Sequence, residues 1–211
     1  LIDRALKSNL AKSYNNQAIE RDSMELQNWK AKERGIFTDY LRKEKANYVL
    51  EIGAGTGKDS LYFKTAGFQT MSIDLSPEMV KLCWEKGLSA EVMSFDQLEF
   101  DQNTFDSIWA LNCLLHVPKK NLVSILEEAK RVLKPNGLFY LGVYGGSDFE
   151  GIWENDFYEP KRFFSFYEDE KLKSILSSLF EMEYFNVVPT EIVGGEYHFQ
   201  SFILRKKEVD K

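Results

Sequence analysis

"VLEIGAGTGKDS", Val49–Ser60, is the stretch that decides how this chain folds. An apolar run meets Glu51, glycines fall at 53, 55 and 57, and a polar, helix-compatible stretch follows. An apolar run that stops at glycine reads as a strand. The glycines let the backbone turn tightly and approach a ligand with no Cβ in the way. Such a turn at the carboxyl end of a parallel strand suits a nucleotide-like ligand. The spacing rejects two of the usual ones. A phosphate loop needs two glycines with four residues between them and then Lys-Ser/Thr, but here the glycine spacing differs and Lys58 is followed by Asp59. A dinucleotide fingerprint needs Gly-x-Gly-x-x-Gly, and here Lys58 takes the last position, one residue after the third glycine.

Outward from this turn, strands and helices alternate. Tyr48–Ile52 is the first strand, and Lys58–Ala66 is a helix closed by Gly67. Phe68–Ile73 is the second strand. Ser76-Pro77 opens the next helix, with Ser as N-cap and Pro at the first helical position. Ala90–Met93 and Phe105–Leu111 are further strands, and Asn121–Leu133 places Leu122, Ile125, Leu126, Ala129, Val132 and Leu133 on one helical face. Lys134-Pro135-Asn136-Gly137 turns the chain into a fifth strand, Leu138–Tyr144. The segment Ser165-Phe166-Tyr167-Glu168 has the form of a capping box opening a last long helix. Glu183–Val188 and Tyr197–Arg205 then form an antiparallel hairpin joined through Gly194-Gly195, with His198 expected as a packed edge residue. Before the first strand, Asp3–Leu41 is charged and helical in pattern. The fold class is α/β: a Rossmann-like, doubly wound, mostly parallel seven-stranded sheet with an antiparallel last strand and helices on both faces.

Composition narrows the function. The chain has 211 residues, 44% hydrophobic, enough for one domain with a sizeable core. The net charge of −6, with no long basic run, disfavours nucleic acid as a partner. No apolar stretch approaches the ~20 residues of a membrane span, and LIDRALKSNL lacks the apolar core of a signal peptide. The two histidines lie far apart and offer no zinc-ligand spacing, so no metal is expected. Cys83 and Cys113 read as reduced thiols of a cytoplasmic protein.

An acid before the turn fits poorly beside a pyrophosphate but suits a ligand carrying an ammonium group and a sulfonium. Asp74, at the end of the second strand, can accept both hydroxyls of a ribose; its plain structural role would be a turn or capping residue ahead of Ser76-Pro77. Together with "SIDLSPEMV", "TFDSIWALNCLLHVP" and "RVLKPNGLFYLGVYGG", the opening stretch resembles the class I S-adenosylmethionine-dependent methyltransferases. The resemblance is close from Val49 to Tyr144 and looser in "HFQSFILRK". It implies S-adenosyl-L-methionine as cofactor. It also implies roles for residues 51–57 (Glu51, Gly53, Ala54, Gly55 and Gly57 around the methionine portion), Asp74 at the ribose, and Leu75 and Met79 near the adenine. In that family an acid shortly after the third strand takes the adenine amino group. Here Ser94 stands in its place and Asp96 two residues later, so either Asp96 or Ser94 with the Phe95 backbone would serve. Asp96 as a solvated loop acid is the competing reading.

Methyl transfer asks chiefly for alignment and exclusion of water, and needs a base only when the nucleophile starts protonated. Asn112, after the fourth strand, would line the cofactor pocket. His116 would serve as base or cap the following helix. The loop lacks the Asn/Asp-Pro-Pro-aromatic motif that nucleic-acid amino-methyltransferases resemble one another in carrying. Four regions follow: 1–45 as a helical lid carrying Tyr14, a second candidate catalytic residue, and Trp29; 46–144 as the cofactor-binding core; 145–167 as an aromatic acceptor-side insertion; and 168–211 as a helix plus edge hairpin. The expected acceptor is a small molecule, with neither nucleic acid nor membrane as partner and no oligomeric state specified. In the insertion, Lys161 and Arg162 read as a solvated face, with contact to an acidic acceptor as the alternative. The alternatives are a protein or RNA methyltransferase and a non-catalytic cofactor-binding module.

Overall fold

Residues 1–207 are described by a computed structural model. The sheet-forming strands are β1 (Tyr48–Ile52), β2 (Gln69–Asp74), β3 (Ala90–Val92), β4 (Phe105–Leu111), β5 (Leu133–Gly145), β8 (Glu181–Val188) and β9 (His198–Arg205). A separate hairpin is made by β6 (Phe149–Ile152) and β7 (Phe163–Phe166). The helices are α1 (Arg4–Asn15), α2 (Ala18–Ser23), α3 (Asn28–Lys43), α4 (Lys58–Thr65), α5 (Pro77–Glu85), α6 (Lys119–Val132), α7 (Asp169–Leu179) and α8 (Thr190–Val193).

The seven strands lie in the order β3-β2-β1-β4-β5-β9-β8. The first five pair in parallel, while β9 runs antiparallel to both β5 and β8. This is the doubly wound sheet expected from the sequence. It also moves His198 off the edge, because β9 lies between β5 and β8 and β8 closes the sheet. Strand order reverses between β1 and β4, so a crevice opens at their carboxyl ends, where Gly53 and Asn112 sit.

Alternation along the strands divides the core into two layers. Leu50, Ile52, Ile108 and Ala110 point to the face covered by α6 and α7, together with Leu126, Leu172 and Leu176. Val49 and Trp109 point to the other face, where Phe37, Leu41 and Phe63 of α3 and α4 cover them. There the Trp109 and Tyr140 rings stack with centroids 3.9 Å apart. Both faces of β1 and β4 are thus buried, which accounts for their nearly unbroken apolar runs.

Helix starts follow local chemistry in two cases. Asp3 caps α1, its Oδ1 accepting from Ala5 N–H at 2.9 Å. Ser76 caps α5, its Oγ accepting from Met79 N–H at 3.1 Å with Pro77 at the first position. The capping box expected at Ser165–Glu168 does not form. Ser165 lies inside β7 opposite Glu150, its hydroxyl buried without a partner, and α7 starts at Asp169 with no side-chain cap. The aromatic residues on either side of Ser165 drive this: Phe164 and Phe166 both pack edge-on against Trp153, which holds the segment extended. The N-terminal region likewise breaks into three helices, with Leu26 in the link between α2 and α3.

Candidate functional site

The turn after β1 places three glycines in the left-handed region, with φ of +68, +54 and +79 at Gly53, Gly55 and Gly57. A Cβ on Gly53 would stand 2.3 Å from the Cβ of Cys113, so the loops after β1 and β4 touch here backbone to side chain. A Cβ on Gly55 would meet nothing within 4 Å; its open side faces a cleft. Gly57 is the N-cap residue of α4, closed in by Cys83 and Leu88.

Three clefts meet above this turn. The first is lined by Leu10, Tyr14, Gly55, Asp74, Leu75, Met93 and Phe95, among others. The second runs along the turn past Glu51, Ala54, Thr56, Lys58 and Asp59. The third has aromatic walls, with Trp153, Phe164, Phe166 and Tyr197. Arg21 and Asn112 line all three. Asn112 holds φ +56, uncommon for a residue with a side chain. Its N–H donates to the Gly142 carbonyl, while its Oδ1 is buried with no hydrogen-bond partner. Buried polar atoms are nearly always bonded, so an unpartnered acceptor at this junction points to a donor on a ligand.

The two acids of the turn differ. Glu51 is buried and its Oε2 accepts from the Ser60 N–H at 2.8 Å and from the Ser60 hydroxyl. Burial, with Asp59 nearby, raises its pKa well above the ordinary carboxylate value. Asp74 accepts from Gly55 N–H at 2.8 Å and from Ser76 N–H at 2.9 Å, one on each oxygen. Each oxygen keeps a further lone pair, and Asp74 lines the cleft. Burial raises its pKa, opposed by those backbone bonds.

Other sequence-selected residues are placed elsewhere. Met79 is buried in α5 and Ser94 is bonded to Asp96; neither lines a cleft, whereas Phe95 does. Asp96 is no solvated loop acid: its side chain is 2% exposed. It accepts from the Ile2 N–H at 2.7 Å, from Lys7 Nζ at 3.1 Å and from Ser94. Although burial alone would raise its pKa, these bonds hold it below the ordinary value. Trp29 packs its ring on Phe199 at 4.5 Å.

Tyr14 and His116, 102 residues apart, come together. The Tyr14 Oη lies 2.7 Å from His116 Nε2. His116 Nδ1 is 2.8 Å from the Phe163 carbonyl, which only accepts, so Nδ1 carries the proton and Nε2 accepts from Tyr14. Arg162 completes the group. Its Nη1 donates to Tyr14 Oη at 3.2 Å and its guanidinium pairs with Asp156 at 2.8 and 2.9 Å. This guanidinium, with a side chain 12% exposed, also lies 3.5 Å from the Tyr158 ring centroid, so Arg162 is not the solvated residue expected. Burial pulls the His116 pKa down to about 3, with Arg162 adding to the effect, so the imidazole is neutral. Burial raises the Tyr14 pKa against the pull of Arg162 and Arg21. Lys161, by contrast, is partly exposed and paired with Glu154.

Residues 50–141 match the family described as a methyltransferase domain. An uncharacterised protein of Methanocaldococcus jannaschii is 30% identical over 151 residues, covering 70% of this chain and 69% of that protein. The chain belongs to the S-adenosylmethionine-dependent methyltransferase family. A ubiquinone biosynthesis O-methyltransferase of Xanthomonas oryzae is 34% identical over 100 residues, covering 44% of this chain and 41% of that enzyme. The chain therefore spans well under half the length of that relative. Among solved structures, a 1,6-didemethyltoxoflavin-N1-methyltransferase of Burkholderia thailandensis, with bound 1,6-didemethyltoxoflavin and S-adenosylhomocysteine, superimposes with a TM-score of 0.76. It is 21% identical, with 96% of this chain and 88% of that chain covered, and so attests the shared fold.

Sequence reasoning missed Arg21 and Lys30, which line the clefts. Arg21 and Lys30 sit in charged helical runs like any solvated face, and no pattern sets them apart.

Proposed function

We propose that this protein transfers the methyl group of S-adenosylmethionine to a small-molecule acceptor held in the aromatic cleft. The observation that carries the reading is the meeting of the glycine-turn cleft and the aromatic cleft at Asn112 and Arg21. The residues present fit the cofactor: open space over Gly55, spare lone pairs on Asp74, and an unpartnered Oδ1 on Asn112. Glu51, Gly53, Ala54, Gly55 and Asn112 would hold its methionine portion, Asp74 its ribose, and Leu75 and Phe95 its base. Asp96, Ser94, Met79 and Gly57 act from behind this surface, in the fold of the loops. When bound, the cofactor supplies an activated methyl on a sulfonium.

The chain's own part is enclosure, alignment and the handling of one proton. Three regions supply the acceptor side: Tyr14 from α1, His116 from the loop after β4, and Arg162 beside β7. As an acceptor O–H or N–H gives its proton to Tyr14 Oη, the Tyr14 proton passes to His116 Nε2. Arg162 opposes a lasting positive charge on the imidazole, so the pair holds this proton only transiently. Region 1–45 acts as a lid, since Tyr14, Arg21 and Lys30 all wall the clefts from it. No helix among the described residues is long and apolar enough to cross a membrane. Cys83 and Cys113 are both free and buried, which supports a reducing, cytoplasmic setting.

The test is transfer of labelled methyl from S-adenosylmethionine to a mixture of small metabolites. Tyr14→Phe and His116→Gln should each lower turnover about 100-fold or more, while S-adenosylhomocysteine still binds. Cofactor binding with no acceptor methylated would leave a binding module instead.

A further inference from the structure

The chain carries a net charge of −6, yet cations gather where the clefts meet. Arg21 Nη1 donates to Tyr158 Oη at 3.0 Å, and its guanidinium carbon is 5.3 Å from the Tyr14 ring centroid. Its charged end thus lies on the acceptor side. Lys30 lines the same junction, its Nζ 5.2 Å from the Trp29 ring centroid. Among the described residues, no carboxylate forms an ion pair with Arg21 or Lys30.

The acids nearby are bonded elsewhere or exposed to water. Asp156 is taken by Arg162 and Asp59 by Arg34 and Trp109. Glu196 lines the aromatic cleft and Glu25 the turn cleft, both exposed to water, while Asp74 and Glu51, which also line clefts with Arg21, spend bonds on backbone N–H groups and on Ser60. Burial, then the charge of Arg21, lower the Lys30 pKa, opposed in part by Asp59, so the two cations repel each other and the net shift is downward. Half-buried like charges without counter-ions are costly, and interiors pair such groups. A bound anion would relieve both.

We infer that the methyl acceptor is a small molecule with an apolar or aromatic body and an anionic group, carboxylate or phosphate, clasped by Arg21 and Lys30. This rests on the cofactor and acceptor assignment proposed above. The aromatic walls take the body, and the two cations fix which end faces Asn112 and the Tyr14–His116 pair. Arg is suited to a forked contact with either anion and Lys to a point-charge contact.

Calorimetry on the protein saturated with S-adenosylhomocysteine tests this, using benzoate and phenyl phosphate as anionic probes against benzamide and benzylamine. At least one anion should bind about tenfold tighter than benzamide, and which one separates carboxylate from phosphate recognition. Arg21→Gln and Lys30→Gln should each erase most of that preference and change S-adenosylhomocysteine affinity by less than about threefold. The inference is overturned if benzamide or benzylamine binds as well as the anions, or if no anion binds at millimolar concentration. It is also overturned if both variants keep the preference; a loss of S-adenosylhomocysteine alongside would assign the cations to the cofactor's carboxylate instead. Failure of the wild type to bind S-adenosylhomocysteine sinks the cofactor assignment instead, and is read before any probe is added.

Discussion

The two sides of the proposed site, cofactor and acceptor, are built on opposite plans. The cofactor side is largely backbone: three left-handed glycines, two N–H groups on Asp74 and a strained Asn112, most of it within a few residues of the ends of β1, β2 and β4. The acceptor side is made of side chains brought from afar, with Tyr14 meeting His116 across 102 positions and Arg162 across 148. A backbone cradle tolerates almost no change at its glycines. A side-chain cluster can be altered one function at a time.

The largest effect should come at Gly53. An alanine there is strained at φ +68 and drives its Cβ to 2.3 Å from that of Cys113. Left-handed strain and overpacking together should cost about 3–5 kcal/mol of folding stability, read from denaturant unfolding. Gly55→Ala should cost only ~1 kcal/mol of stability, because its Cβ meets nothing, yet weaken S-adenosylhomocysteine binding by entering the cleft. If the two substitutions destabilise equally, the division of labour within the turn is wrong.

Next in size is Asp74. Asp74→Asn keeps an acceptor for one of the two backbone N–H groups but loses the charge. It should weaken S-adenosylhomocysteine by ~2–3 kcal/mol, the value of charge-assisted bonds, measured by calorimetry. Unchanged affinity would remove the ribose assignment and leave Asp74 as the brace of the Gly55 and Ser76 loops that its own bonds describe.

The same contrast explains what could be read in advance. The seven sheet strands, the glycine turn and the Ser76 cap follow from neighbours in sequence. The structure has them within a few residues of the pattern, except that β5 starts at Leu133 and runs through the turn expected at 134–137, and the β6–β7 pair was not expected. Glu51, Asp74 and Asn112 could be singled out because they sit at fixed offsets from strand ends, and the structure brings all three to the clefts. Ser165–Glu168 misled because its local capping signal competes with the pairing of β6 and β7, which aromatic contacts from Trp153 decide. Arg162 misled because its burial depends on Asp156, Tyr158 and Tyr14, and nothing near it in sequence announces Tyr14. Asp96 is a similar case, its partners being Ile2 and Lys7.

On the acceptor side, pH gives a cleaner probe than activity. His116 has its pKa lowered from 6.5 to about 3 by burial. The unfolded chain takes up a proton below about pH 6.5 that the folded chain refuses, so the stability present above that pH is lost as pH falls towards 3. Between pH 6.5 and 4.5 the wild type should lose about 2 kcal/mol more than His116→Gln, seen in paired urea titrations. Parallel curves would mean that the imidazole is hydrated, and the Tyr14–His116 bond less enclosed than its 2.7 Å contact describes.

The smallest effect decides to which side the N-terminal helix belongs. Lys7 is 26% exposed and meets an Asp96 side chain that is 2% exposed. Lys7→Ala removes one of the partners of a buried carboxylate but leaves the Ile2 N–H and the Ser94 hydroxyl in place. The loss should stay near 1 kcal/mol, the upper end for a partly exposed pair. S-adenosylhomocysteine affinity should change by less than about twofold, because Asp96 spends its bonds on α1 and its neighbours rather than on the cleft. A tenfold loss of affinity in Lys7→Ala, with stability nearly intact, would turn that around. It would mean that Asp96 exchanges Lys7 for the adenine when the cofactor enters, and that α1 is part of the cofactor site as well as the wall that carries Tyr14.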